Sequence, residues 1–158
     1  VAWRGRAVPW RRTLRGRGGR AAWILGLAVF VLTVVEGVMG AQVRELTDAM
    51  AMARGSESRA DWSAELEGSP VYLVHRSFSW LIVVGSGAFL ILVRRAHAEG
   101  LCWIEKLVAF LVGGLLVMGV VLSHVGVLPV VQVLHVAAAA VLVAALFFWL
   151  LATRPQAA

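Results

Sequence analysis

Four long apolar stretches divide this chain and leave it few ways to fold. They cover residues 21–43, 71–93, 104–123 and 130–153. At a helical rise of ~1.5 Å per residue, about twenty residues cross a hydrocarbon layer of roughly 30 Å. Lipid offers no hydrogen-bond partners, so a segment inside it must satisfy its own backbone, and a helix does so along its whole length. The expected fold is therefore all-α: a polytopic membrane protein built as a four-transmembrane-helix bundle. Composition agrees, with 60% of the 158 residues hydrophobic and 15% charged, more apolar than an ordinary soluble domain.

The polar remainder sets the domain organisation and the orientation. Residues 1–20 form a basic arm of seven arginines with Trp3, Pro9, Trp10 and no acid, readable as disordered or as an amphipathic surface segment. Ala21–Val43 is too long for a signal-peptide core and is followed by no convincing small-residue cleavage site, so it reads as a retained span. An alternative start codon and a longer precursor would each account for a chain beginning at Val1. Residues 44–70 form a polar outer loop in which Glu45–Arg54 is expected as a short interfacial helix. Pro70 suits the first position of the second span. His97 falls in the charged link after that span and is expected as a solvated loop residue, with Trp103 marking the next interface. Residues 154–158 are a tail. The arm, the Arg94–Lys106 link and Arg154 hold eleven basic residues (seven, three and one), against three in the outer loops (Arg44, Arg54 and Arg59). Positive charge stays on the cytoplasmic side, so both termini are expected there. A net charge of +6 raises the question of nucleic acid, but the arginines cluster at the ends of apolar runs and are not interleaved with aromatics along a surface. The lone Cys102 excludes an internal disulfide.

Chemistry concentrates at a few residues inside the spans. Glu36 is the only charge in the first span, with Gly37, Gly40 and Ala41 beside it allowing close approach of a helix or a planar ligand. It reads either as a protonated structural carboxyl or as a proton-handling group near a cofactor. His75 and Arg76 lie just inside the second span, and His135 just inside the fourth. His75 is five residues after Pro70 and His135 six after Pro129, which puts both roughly 7–9 Å below the start of their helices. Both of those helices enter from the same surface, so the imidazoles match in depth. Two such histidines suit the axial positions of a haem iron, although a lone intramembrane histidine is often only a packing residue. Arg76 could pair with a propionate. Ser77, Ser79 and the run Ala137–Ala140 are small enough for a macrocycle or a helix to come close. His124 ends the third span, and zinc has no accompanying thiolate or carboxylate at ligand spacing.

With these residues in view, the chain resembles the haem A synthase family of membrane haem-hydroxylating oxidases. The resemblance rests on Glu36-Gly37-Val38-Met39-Gly40-Ala41-Gln42-Val43-Arg44, on Val74-His75-Arg76, and on Val127-Leu128-Pro129 leading to Leu134-His135. It runs through all four spans, from Ala21 to Leu151. It implies that His75 and His135 are one iron-ligating pair, that the cofactor is haem b or haem O, and that the protein is a multi-pass protein of the inner (plasma) membrane. Family members usually carry two four-helix halves, one holding haem b and the other receiving haem O, whose ring methyl is oxidised towards a formyl group. A single half would then form a homodimer or pair with a second half, and a haem O synthase is a further partner.

The departures matter as well. In the family's substrate half a glutamate precedes the second-span histidine by three residues. Here Tyr72 holds that place among the cofactor-contacting positions. The family often has glutamine where Glu36 stands, so the carboxyl is expected to have moved to the neighbouring helix. The outer-loop cysteine pair of many members is missing. The leading expectation is a haem A synthase-like oxidoreductase. Its rivals are an electron-transfer transmembrane cytochrome b or haem-binding partner subunit, and a non-haem assembly factor whose histidines merely pack.

Overall fold

The computed structural model describes residues 12–14, 16–55, 63–97, 100–126 and 128–155. Its elements are β1 (Arg12–Leu14), α1 (Gly16–Arg54), α2 (Ser63–Gly68), α3 (Pro70–Ala96), α4 (Trp103–His124), α5 (Pro129–Ala152) and β2 (Thr153–Pro155). Four of the helices are long and apolar enough to cross a membrane: α1, α3, α4 and α5. The prolines punctuate this order. Pro70 and Pro129 occupy the first positions of α3 and α5, where their missing N–H would be unpaired in any case.

The first helix departs from expectation. No loop begins at Arg44, and α1 continues without a break through the stretch expected as a separate interfacial helix. Nothing between Val43 and Arg54 breaks a helix, and the polar residues there serve it. Arg44 Nε pairs with Asp48 one turn on at 3.3 Å, and the Thr47 hydroxyl donates to the Arg44 carbonyl at 2.8 Å. The helix stops only at Gly55, whose φ of 59° is the left-handed conformation that glycine adopts freely. At 39 residues, α1 is roughly 58 Å long, well beyond the hydrocarbon thickness.

The four long helices run alternately up and down. Each of α1 and α4 packs against both α3 and α5, which leaves α3 and α5 across the diagonal of the bundle. A short parallel ladder closes one end, pairing Arg12 with Thr153, Thr13 with Arg154 and Leu14 with Pro155. Residues 12–14 of the expected arm are thus tied to the end of the fourth span and the start of the expected tail, and α1 begins at Gly16, inside that arm.

Packing differs sharply between the two halves of the bundle. In the half next to the ladder, Leu14, Ala22, Val29, Phe89, Val93, Val108, Leu111, Leu142, Leu146 and Trp149 form a sealed core. Phe89 meets Trp149 edge to face at 4.6 Å. Gly26 makes room for them: a Cβ there would stand 2.7 Å from the Trp149 ring. Glu105 is completely buried in the same half, accepting from the Trp149 indole N–H at 2.9 Å and from the Cys102 backbone N–H at 2.7 Å. Apolar side chains at Met50, Leu66 and Tyr72, backed by Val43 and Leu46, close the far end, with Arg54 bonded to Glu65 beside them. Between these two clusters lie residues 34–46, 73–81, 112–124 and 129–141, and none of them is fully buried. In that layer protein side chains leave the bundle unsealed.

Candidate functional site

The unsealed layer contains the residues singled out in the sequence. His75 lies on α3 with its Nδ1 3.1 Å from Glu36 Oε1 on α1. The ring N–H direction falls off that line, so the two stand in close contact without an aligned hydrogen bond. Ser79, one turn after His75 on α3, places its hydroxyl on the same Glu36 oxygen and 3.0 Å from the His75 carbonyl. Glu36 Oε2 is buried with no hydrogen-bond partner among the described residues. Glu36 thus brings a carboxyl from α1 to the side of His75.

Both imidazoles rest on glycine. A Cβ at Gly40 would stand 3.4 Å from Cε1 of His75, and a Cβ at Gly119 would stand 3.8 Å from Cε1 of His135. Both are van der Waals separations, so a Cβ would touch the rings and a branched side chain such as valine would press on them. His135, on α5, leans on α4 as His75 leans on α1. Its Nδ1 is buried and has no hydrogen-bond partner among the described residues. Glu36 and His75 both lie within electrostatic reach of His135, so the three groups share one region of the bundle.

The other expected residues fall as follows. Tyr72 is buried at the far-end cap, its hydroxyl 3.2 Å from Ser123 Oγ on α4. Arg76 is exposed and pairs with no described carboxylate. Ser77 is exposed, unlike Ser79. His124 is the exposed last residue of α4. The expectation of a solvated His97 needs correction: it caps α3, is half-buried, and its Nε2 is buried without a hydrogen-bond partner among the described residues. Glu105 escaped the sequence reading because Cys102 stands where a capping-box serine or threonine would have flagged it.

What could this set hold? Among the described residues no cluster of three or more His, Cys, Asp or Glu side chains could hold a metal ion unaided. A porphyrin brings four nitrogens of its own and asks the protein for at most two. Two imidazoles on diagonal helices, each with a buried unpaired Nδ1 and each against a glycine, suit that demand. So does the lack of a sealed core around them.

A family model described as cytochrome oxidase assembly protein, COX15-CtaA, matches residues 1–147. The chain belongs to the COX15-CtaA family. No curated protein and no solved structure matches it. This COX15-CtaA member is thus a multi-pass membrane protein with a role in cytochrome oxidase assembly, and the resemblance drawn from Glu36–Arg44, Val74–Arg76 and Val127–His135 pointed to the same family.

Proposed function

We propose that this chain is a membrane haem protein of the haem A synthase type, with His75 and His135 as the axial ligands of a b-type haem or of haem O. The observation that carries the reading is the pair of glycine-backed imidazoles in the unsealed layer of a cytochrome oxidase assembly protein. Bound iron would supply the oxygen chemistry that converts a ring methyl of haem O towards the formyl of haem A. The chain's own residues do the rest. His75 and His135 would hold the haem from α3 and α5. Gly40 and Gly119 keep the imidazoles at their depth. Glu36, with Ser79 beside it, is a carboxyl within reach of His75 and serves as a proton-handling group. Arg76, exposed on α3, is the candidate partner for a propionate at the far-end surface. On the positive-inside rule the ladder end is cytoplasmic, and the site then lies in the outer leaflet of the inner (plasma) membrane. A second copy or a separate four-helix half completes the assembly, and a haem O synthase would supply substrate.

Tyr72 favours a second reading, a haem-holding electron-transfer cytochrome b without oxygenase activity. Its phenol stands where the family's substrate half has a carboxyl, and it is occupied with Ser123. The two readings separate when the chain is expressed with a supply of haem O and the membrane pigments are extracted. Haem A that depends on this chain supports the synthase; bound haem b or haem O with no haem A supports the cytochrome.

A further inference from the structure

The bundle is two helical hairpins, α1–α3 and α4–α5, and each carries its histidine on the second helix against a glycine of the first. The two hairpins differ in what surrounds that contact. One turn before Gly40 stands Glu36; one turn before Gly119, at the same offset of four, stands Leu115. One turn after His75 stands Ser79; one turn after His135 stands Ala139. The polar pair that meets His75 is thus an apolar pair beside His135. The contacts follow this difference. Neither Nδ1 has an aligned hydrogen-bond partner among the described residues, but His75 Nδ1 is 3.1 Å from a Glu36 oxygen that also takes the Ser79 hydroxyl, whereas no described carboxylate stands at ion-pair distance from His135.

We propose that Glu36, oriented by Ser79, is a positioning residue that makes the two histidines unequal. His75 is the firmly held, electron-rich ligand, and His135 is the weaker, exchangeable one. This rests on the haem reading above and adds to it. A carboxylate beside Nδ1 favours the tautomer with the proton on that nitrogen, which leaves Nε2 free to bind a metal. The same contact makes the ring a better electron donor to a metal at Nε2. A stronger donor stabilises the oxidised iron and lowers its reduction potential. Among the described residues no carboxylate stands within ion-pair distance of His135, which Glu36 reaches only across the shared layer, so His135 would leave a bound iron at smaller cost than His75. His75 would then be the residue that keeps a bound haem in place, and His135 the one that would give way to a small ligand.

The test uses the full chain in detergent, titrated with haemin and followed through the Soret band, with redox titration of the loaded protein. In Glu36→Gln the charge is gone while the side-chain shape stays. It is expected to bind haemin about 10–100-fold more weakly than wild type and to shift the midpoint potential in the positive direction. Ser79→Ala, which leaves the charge but loosens its orientation, should shift both in the same direction by less. His135→Ala should retain haemin in a five-coordinate, high-spin form, and His75→Ala should lose it. Unchanged helical content by circular dichroism guards against misfolding as the cause. If Glu36→Gln matches wild type in affinity and potential, or if the two histidine variants behave alike, the inequality is refuted while the haem site stands. If wild type itself gives no Soret band with haemin, the haem reading fails and this assignment falls with it.

Discussion

At the scale of single residues, the site depends on small volumes as much as on ligating atoms. Gly40 and Gly37 sit one turn apart on α1, yet only Gly40 meets an imidazole; a Cβ at Gly37 would touch nothing within 4 Å. Gly40→Val is therefore expected to weaken haemin binding at least tenfold, a shift of about 1.4 kcal/mol, while Gly37→Val leaves it near wild type; titration of the Soret band checks both. Glu105 carries a different burden. Its replacement by alanine would leave the Trp149 indole N–H and the Cys102 N–H unpaired in the core, at a cost of about 3 kcal/mol that a thermal melt in detergent would register. His75, His135 and Glu36 were legible in the sequence because a polar side chain inside an apolar run is expensive enough to demand a reason. Ser79 and Gly119 were legible only as small residues. Their partners lie on other helices, and the rotation of one helix against another leaves no local mark in a sequence.

At the scale of elements, α1 is the piece that sequence patterning misjudged. The change from apolar to polar at Arg44 marks where the helix leaves lipid. It does not mark where the helix ends, because Arg44, Thr47 and Asp48 support helical geometry as well as the apolar residues before them. Ala49 is exposed on this extension, so Ala49→Pro would act on the backbone alone. It should cost about 3 kcal/mol and reduce helical content by circular dichroism. Helix packing near the ladder is tighter. Gly26→Val would drive a side chain into Trp149 and Phe89, with an expected loss of about 1–3 kcal/mol in the same thermal measurement. The starts of the second and fourth spans were readable because prolines mark the first residues of α3 and α5. The ladder between β1 and β2 was not readable, since three-residue strands at opposite ends of a chain carry no periodic signal.

At the scale of the whole molecule, the bundle is sealed beside the ladder, capped at the far end and open between. The sequence carries the number of helices, their alternation and the equal depth of the two histidines, but not this division, which depends on which side chains meet across the diagonal. A protein that leaves its middle layer unsealed should gain stability when that layer is filled. Haemin at 100 times its dissociation constant is expected to stabilise the fold by about 2.7 kcal/mol, seen as a rise in melting temperature that the His75→Ala, His135→Ala double variant lacks. The central claim is that those two imidazoles hold a porphyrin iron inside this COX15-CtaA bundle. Its most direct measurement is pigment extraction with mass analysis on the purified wild type and that double variant. The account predicts haem at near-stoichiometric yield in the wild type and a colourless, still helical double variant; a colourless wild type, or a double variant that keeps its haem, would contradict it.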